Sequence, residues 1–473
     1  MRRKTKIVCT IGPATDSELM IGKLIDAGMN VARLNFSHGN QEEHLRRIKM
    51  IRSQAIALNR YIGIMADTKG PEIRTGEFEN GSAAFKKGDV VHVVKAPVLG
   101  NKERFHISVP QLFSDIDPGD YILIDDGKMR LDVTSVSADD ITCQVRNSGT
   151  IKSRKGCNVP NVKLSMPFIS EKDDTDIRFA AQNGCDMIAA SFVRRPEDVL
   201  AIRAILRSVG KETMEIIAKI ENQEGVDNLE DILKVADGVM VARGDLGVEV
   251  STELVPIYQK KIIAKANEMG KPVITATHML ESMMANPRPT RAEASDVANA
   301  ILDGSDAIML SGESAAGEYP IESVLTMDRI AKAIEATISY DDRLAKAIKS
   351  SHPTVNDAIG IAVAQTALTL EKAQVIVAFT ETGGTAKRMG KFRPSVPIIA
   401  ITDSIETVRK LTYYWGVFPT LRDNVTDYSR YDAVACEVAR DFGFQPGATI
   451  IITSGWGQQH GSTNNMRIID IPE

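Results

Sequence analysis

The chain has 473 residues, 43% of them hydrophobic, and its 57 Lys and Arg against 62 Asp and Glu leave a formal net charge of −5. This composition is typical of a folded globular protein and excludes global disorder. The charge balance gives no support for binding to nucleic acid or to a membrane surface. The five cysteines lie far apart without a CxxC motif, which argues against a disulfide framework or a zinc site and predicts a cytoplasmic protein.

Short β-branched runs alternate with stretches of helical period from the N-terminus onward, which predicts parallel strands covered by helices. The first strands are predicted at 7–11, 31–36 and 62–66. A helix between the first two is expected to begin at a cap on Asp16 and to end at Gly28. From about Glu72 to Pro167 the helical period is lost and turn signals separate short apolar runs, which predicts an all-β insertion.

The alternation then resumes, with strands predicted at 187–192, 215–221, 238–243, 272–277 and 307–311. Counting across the insertion gives eight strand–helix units, the number that closes a TIM barrel, and an open doubly wound sheet is the alternative. Beyond a break at 350–353 the pattern predicts a further α/β domain with a five-stranded sheet. The predicted fold class is α/β, with a (β/α)₈ barrel at 1–70 and 169–345, the inserted all-β domain at 71–168 and the C-terminal domain at 346–473.

Charged side chains cluster where the predicted barrel strands end, which is the end that carries the active site in such barrels. Residues two apart on a strand share one face. Three pairs are therefore expected to point into one mouth: Arg33 with Asn35, Lys219 with Glu221, and Arg243 with Asp245. Each residue alone is most simply a solvated loop residue, but so many charges on one rim would be costly unless they were paired or bound a ligand.

Such a mouth suits phosphoryl transfer. Glu221 and Asp245 offer the hard oxygen ligands that Mg²⁺ prefers, and Lys219 and Arg33 can neutralise charge on a moving phosphoryl group. The backbone N–H groups that begin the segment 244–247 could hold a carboxylate or a phosphate. The sequence contains no GxxxxGK[ST] motif, which excludes a P-loop, and no GxGxxG motif opens a helix.

Five segments of the chain, in the same order, resemble the pyruvate kinase family: 30–39, 67–76, 219–225, 240–247, and 286–293 running on to 308–313. The resemblance covers essentially the whole chain. It implies a phosphotransferase that converts phosphoenolpyruvate and ADP to pyruvate and ATP, with the insertion forming a β-barrel lid and the C-terminal domain binding an effector. It also implies the bacterial type without an extra C-terminal domain, and a homotetramer.

The resemblance further implies roles for individual residues. Lys219 matches the lysine that stabilises the transferring phosphoryl group, and Thr277 matches a threonine implicated in protonation of the enolate. Glu221 and Asp245 match the ligands of Mg²⁺ or Mn²⁺. Four residues match the K⁺ site: Asn35, Ser37, Asp67 and Thr68. Glu72 is of the residue type associated with K⁺ dependence. The substrate contacts are matched by Arg33, Arg74, Gly244 and Asp245, and the nucleotide contacts by Asn35, His38, Arg74 and Lys155.

One residue departs from the family pattern, because His278 stands where the family usually has Gln. A tolerated exchange and an altered pH profile are both open, since His titrates near neutral pH.

The loop 380–385 follows a strand and precedes a helix, so that its hydroxyl and N–H groups suit a phosphate, although a plain glycine turn fits as well. The resemblance implies that a sugar phosphate or nucleotide effector binds at Thr380, Thr382, Gly383, Gly384, Thr385, Trp456 and Thr463.

Two other functions remain open from the residues alone. A metal-dependent lyase or aldolase acting on pyruvate-like enolates could use Glu221 and Asp245 in a similar way. A sugar-phosphate sensor with weak catalysis could work through the C-terminal domain. Lys219 beside the predicted metal, the K⁺ set and the inserted lid favour the kinase.

Overall fold

The structure is a computed structural model that describes residues 2–423, 427–455 and 463–473. Its first elements alternate as predicted: β1 (Lys6–Thr10), α1 (Glu18–Ala27), β2 (Val31–Asn35), α2 (Gln41–Ala57) and β3 (Gly63–Asp67). The cap of α1 is Ser17, whose hydroxyl accepts the N–H of Met20, so the prediction of Asp16 is wrong by one residue. Asp16 instead forms ion pairs with two arginines of α2, and Gly28 ends α1 with a positive φ of 120°.

The inserted segment contains β4 (Ile73–Arg74), β5 (Ser82–Phe85), β6 (Val90–Val94), β7 (Arg104–His106), α3 (Leu112–Asp115), β8 (Tyr121–Ile124), β9 (Met129–Val136), β10 (Asp140–Val145), β11 (Gly149–Lys152) and β12 (Gly156–Asn158). Seven of these strands form one sheet in the order β4-β12-β8-β9-β10-β6-β7, and β5 pairs with β11. The edge strands β4 and β7 meet, because Gly76 donates its N–H to the His106 carbonyl at 2.7 Å and Ser108 donates to the Arg74 carbonyl at 2.9 Å. The sheet thus curls into a barrel around its own apolar core.

The chain then completes the main barrel with α4 (Glu171–Gln182), β13 (Met187–Ala190), α5 (Pro196–Ser208), β14 (Glu215–Ile220), α6 (Gln223–Asp227), α7 (Leu229–Val235), β15 (Gly238–Ala242), α8 (Arg243–Glu249), α9 (Val255–Glu268), β16 (Val273–Ala276), α10 (Arg291–Asp303), β17 (Ala307–Leu310), α11 (Gly312–Ala315), α12 (Pro320–Glu335) and α13 (Tyr340–Lys349). The parallel strands close in the order β1-β17-β16-β15-β14-β13-β3-β2. The TIM barrel is confirmed and the open sheet is excluded. Apolar side chains cover both faces of these strands, as expected of a parallel sheet that is buried on both sides.

The C-terminal elements are α14 (Val355–Thr369), β18 (Ala373–Phe379), α15 (Gly384–Lys391), β19 (Ile398–Thr402), α16 (Ile405–Lys410), β20 (Val417–Leu421), α17 (Tyr431–Asp441), β21 (Thr449–Ser454) and β22 (Asn465–Asp470). They form the predicted five-stranded sheet in the order β20-β19-β18-β21-β22, with β22 antiparallel at one edge. This domain contacts the amino end of the barrel, where Arg393 pairs with Asp306 at 2.8 Å. Among the described residues, no helix combines the length and apolar character that a membrane crossing requires.

Candidate active site

The carboxyl ends of β2, β3 and β14 bring charged side chains together around Lys219. Its ammonium nitrogen lies 3.0 Å from Asp67 Oδ1 and 2.9 Å from Glu221 Oε1, and the side chain is almost completely buried. Arg33 Nε lies 2.6 Å from the other oxygen of Asp67. Burial alone would raise the pKa of Asp67, but Arg33 and Lys219 outweigh burial and hold that pKa below its usual value. Burial alone would lower the pKa of Lys219, but Asp67 and Glu221 outweigh burial and raise that pKa above its usual value. Lys219 is therefore charged.

The two predicted metal ligands fit a divalent cation. Glu221 is fully buried, and its Oε2 accepts the N–H of Phe192 at 2.5 Å. Its Oε1 lies 2.9 Å from Lys219 Nζ, and this ion pair is its polar contact among the described side chains. Burial raises the pKa of Glu221 to about 7, a rise that Lys219 opposes and that Asp245 increases. Lys219 therefore does not fully offset the burial of Glu221, and a divalent cation shared with the nearby Asp245 carboxylate would stabilise both charges.

Two carboxylates suit Mg²⁺, which typically takes one or two carboxylates and completes its shell with waters and phosphate oxygens. In the described part of the chain, no three or more His, Cys, Asp or Glu side chains form a metal-binding group. Glu221 and Asp245 would therefore leave positions around a bound divalent cation open to water or substrate oxygens.

The four predicted K⁺ ligands lie at the adjacent ends of β2 and β3. Asn35 stands opposite Asp67 in the strand register, and its Oδ1 accepts the N–H of Ser37 at 3.0 Å. Thr68 follows Asp67 directly and is buried. The ring of His38 is exposed, with Nδ1 3.4 Å from the Asn35 amide nitrogen. The structure therefore brings these residues together.

The predicted substrate contacts of the inserted domain are engaged in local pairs. Arg74 lies 2.5 Å from Glu72 and donates a hydrogen bond to the Arg154 carbonyl. Lys155 pairs with Asp125 at 2.8 Å, within the same domain. Each cation keeps further N–H groups that could contact a substrate.

The ends of β15 and β16 carry Gly244, Asp245 and Thr277. Thr277 has a positive φ of 67°, which is strained for a β-branched residue, and its hydroxyl oxygen accepts the Gly244 N–H at 2.7 Å. The Gly244 N–H therefore already has an acceptor within the protein. The sequence analysis expected this N–H to be available for a carboxylate or a phosphate. His278, with a φ of 52°, is exposed beside this turn.

The prediction that Arg243 points into the mouth with Asp245 is wrong. The strand ends at Ala242 and Arg243 begins α8, so the two-residue periodicity of a strand no longer applies. Its guanidinium instead pairs with Asp296 at 2.7 Å and donates to the Thr277 carbonyl at 2.6 Å. Arg243 thus supports the backbone under Thr277.

Two site residues were missed by the sequence analysis. The hydroxyl of Ser191, at the end of β13, lies 2.7 Å from Lys219 Nζ and 3.1 Å from Asp67 Oδ1. Thr10, at the end of β1, accepts a hydrogen bond from Arg33 at 3.0 Å. Both residues lie at the carboxyl ends of barrel strands, and this position could have identified them. Neither is charged, so the pattern of charged side chains did not include them.

The predicted effector loop is compact. The Thr380 hydroxyl accepts the N–H of Gly383. Gly383 has a positive φ of 91° and directly precedes α15, which begins at Gly384. The hydroxyls of Thr385 and Thr463 lie 3.0 Å apart, and Arg388 donates to Thr463 at 2.9 Å. Thr382 is exposed on the same loop. Trp456 lies outside the described residues.

A TIM barrel with a buried ionic cluster at its carboxyl end and a β domain inserted beside it has the architecture of a barrel enzyme. Residues 2–324 match the family model for the pyruvate kinase barrel domain, and residues 357–469 match the model for the pyruvate kinase alpha/beta domain. The chain belongs to the pyruvate kinase family.

Similar proteins agree with this assignment. The chain is 50% identical over 471 residues to a pyruvate kinase of Staphylococcus saprophyticus, covering 98% of this chain and 80% of that protein. It is 50% identical over 472 residues to a pyruvate kinase of Geobacillus stearothermophilus, covering 99% and 80%. The crystal structure of a pyruvate kinase from Cryptosporidium parvum superimposes with a TM-score of 0.95 at 40% identity, covering 99% of this chain and 96% of that one.

Proposed function

We propose that this chain transfers the phosphoryl group of phosphoenolpyruvate to ADP and so forms pyruvate and ATP. The observation that carries the proposal is the buried ammonium group of Lys219, held between Asp67 and Glu221. Both substrates are anions, and two unit charges about 4 Å apart repel by about 4 kcal/mol at an effective dielectric constant of about 20. A mouth that holds cations in place reduces this repulsion.

The side chains around Lys219 have distinct proposed tasks. Lys219 stabilises the negative charge of the transferring phosphoryl group, and Arg33 and Arg74 bind its oxygens. Glu221 and Asp245 would hold Mg²⁺ or Mn²⁺, which when bound supplies Lewis-acid stabilisation of phosphate and carboxylate oxygens.

The rest of the mouth is proposed to bind and orient. Thr277 lies beside the enolate that remains after transfer and takes part in its protonation, while the backbone of Gly244 and Asp245 binds the substrate carboxylate once the Gly244 N–H is released. K⁺ is held by Asn35, Ser37, Asp67 and Thr68. The nucleotide is bound by Asn35, His38, Arg74 and Lys155.

The C-terminal domain is proposed to regulate the enzyme. The N–H groups at the start of α15 and the hydroxyls around Gly383 suit the phosphate of a sugar phosphate or nucleotide, and Arg388 stands within the same group of side chains. We also propose a homotetramer, on family resemblance, and a cytoplasmic location, which suits the five buried, free cysteines.

A coupled assay for pyruvate with ADP, Mg²⁺ and K⁺ tests the function. Pyruvate that forms in proportion to ATP and requires ADP supports the kinase. Pyruvate formed from other substrates without ADP would indicate a lyase or aldolase. Absent turnover together with sugar-phosphate binding would indicate a sensor.

A further inference from the structure

The hydroxyl of Ser191 lies between two parts of the candidate site. It is 2.7 Å from Lys219 Nζ on one side and 2.7 Å from the carbonyl oxygen of Thr68 on the other. Ser191 is 2% exposed, so water does not compete for these contacts. Thr68 belongs to the predicted K⁺ set, and Lys219 is the predicted contact of the phosphoryl group. The Ser191 hydroxyl oxygen therefore contacts a member of the predicted K⁺ site and the predicted phosphoryl contact at the same time.

The number of protons limits what this hydroxyl can do. An ammonium group only donates hydrogen bonds, so Ser191 must accept from Lys219, and its one proton is then free for the Thr68 carbonyl or for Asp67 Oδ1. Lys219 in turn has three N–H bonds. Ser191 and Asp67 take two of them at 2.7 and 3.0 Å, which leaves the third for Glu221 or a bound ligand.

The surrounding backbone holds Ser191 in this place without its hydroxyl. The Ser191 N–H donates to Thr68 Oγ1 at 3.1 Å, and the Thr68 N–H donates to the Ala189 carbonyl at 3.0 Å. A Cβ atom at Gly70 would lie only 2.9 Å from the Ser191 Cβ, so the backbone at Gly70 packs closely against Ser191. Removal of the hydroxyl alone should therefore leave the strand ends in place.

We propose that Ser191 is a positioning residue whose hydroxyl couples the Lys219 ammonium to the Thr68 carbonyl, so that occupation of the monovalent-cation site and orientation of the lysine depend on each other. This inference rests on the proposed function. A cation bound at Thr68 polarises the carbonyl that Ser191 contacts, and the hydroxyl passes the constraint to one N–H of Lys219. Without the hydroxyl, the N–H of Lys219 that now points to Ser191 loses its acceptor, and among the described residues Asp67 and Glu221 remain to orient the ammonium group.

The test compares Ser191→Ala with Ser191→Cys, which retains a weak hydrogen-bonding group of similar size. Ser191→Ala is expected to lower kcat about tenfold and to raise the K⁺ concentration for half activation about tenfold, the range typical of residues that orient a metal ligand, while the KM for phosphoenolpyruvate changes less. Ser191→Cys should fall between Ser191→Ala and the wild type. If Ser191→Ala does not fold, Ser191→Cys must show the same changes in direction.

Ser305→Ala is the matched control. Ser305 is 1% exposed, and its hydroxyl donates to the Ala300 carbonyl at 2.7 Å and lies 2.7 Å from the Thr275 hydroxyl, at the opposite end of the barrel. Its replacement removes an equally buried hydroxyl, so any effect of lost stability alone should appear in both variants. The K⁺ dependence should change only at Ser191.

A second readout does not use turnover. The melting temperature of each protein is measured in KCl and in tetramethylammonium chloride at equal ionic strength, and K⁺ should stabilise the wild type and Ser305→Ala more than Ser191→Ala. An unchanged K⁺ requirement in Ser191→Ala, or a K⁺-dependent stabilisation equal to that of the wild type, overturns the inference. A wild type that makes no pyruvate refutes the proposed function instead, and the melting experiment still decides the coupling.

Discussion

Lys219 is charged inside the protein because two carboxylates face it. Its replacement by an uncharged residue therefore tests the role of that charge. Lys219→Met keeps an unbranched side chain that is one atom shorter but removes the charge, so we expect phosphoryl transfer to fall by about 10²- to 10³-fold, the loss seen when one preorganised donor is removed. Mn²⁺ binding should persist, since Glu221 and Asp245 remain. The rate is followed by the coupled assay and the metal by Mn²⁺ titration.

Lys234→Met serves as the control for this change, because Lys234 is exposed and pairs only with Asp231, at 2.7 Å, among the described residues. It should leave both the rate and Mn²⁺ binding unchanged. Retained turnover in Lys219→Met would contradict the role assigned to Lys219.

His278 is exposed at the rim, which favours a tolerated exchange over a role in the pH profile. We expect His278→Gln to change kcat by less than about twofold and to leave the pH–rate curve in place. A curve that moves on its acidic side in the variant would show that the imidazole takes part in the reaction.

Among the elements, the strands were predicted well because their signal is repeated over several residues. All eight barrel strands and the five of the C-terminal sheet follow from short apolar runs, which are buried or half-buried in every strand except the antiparallel edge strand β22. Boundaries were less certain, since a single residue decides them. Ser17 rather than Asp16 caps α1, and Arg243 begins a helix instead of continuing β15.

From the residues alone the site could be predicted mainly where charge marked it, and Ser37, Thr68 and Thr277 were predicted only through the family resemblance. Lys219, Glu221 and Asp67 are unusual after apolar strands, whereas the hydroxyls of Ser191 and Thr10 are ordinary there. The positive φ of Thr277 leaves no trace in the sequence either, because tertiary contacts impose it.

One strand, β14, connects the active site to the C-terminal domain. Lys219 lies at its carboxyl end and Glu221 follows it directly, while its first residue, Glu215, is buried against Lys387 of α15. The hydroxyls of Tyr413 and Tyr414 donate to the same carboxylate. Lys387→Met would leave this buried charge without its cation, and we expect the free energy of unfolding to fall by about 3 kcal/mol.

Urea unfolding of Lys387→Met and of Glu215→Gln combined with Lys387→Met measures this effect, and the double variant should recover part of the loss. The matched control is Lys211→Met. Lys211 also joins the barrel to the C-terminal domain, through Glu406 at 2.8 Å, but both side chains are about half exposed. Its loss should be below about 1 kcal/mol, and equal losses at both sites would refute the argument from burial.

At the scale of the whole molecule, we predict that the inserted domain acts as a lid, because the chain enters it after β3 and leaves it before α4, both of which belong to the barrel. Arg194 of the barrel donates to the Leu164 carbonyl, at 2.9 Å, where the chain returns from the insertion. Farther out, Asn158 of β12 donates to Glu249 of α8 at 2.6 Å. The first contact lies near the point of attachment, and the second joins the lid to the helix that carries Asp245.

We therefore expect substrates to draw the lid against the barrel. Hydrogen exchange of residues 75–165 is measured alone and with Mg²⁺, K⁺ and phosphoenolpyruvate, without ADP so that no turnover occurs. Exchange should slow in the lid when these ligands bind, because closure buries backbone at the mouth and excludes the water that would otherwise accept the phosphoryl group. Glu249→Ala removes the Asn158 contact and should raise exchange in the unliganded lid while the barrel strands stay protected. Protection of 75–165 that is the same with and without the ligands would show that the lid does not close.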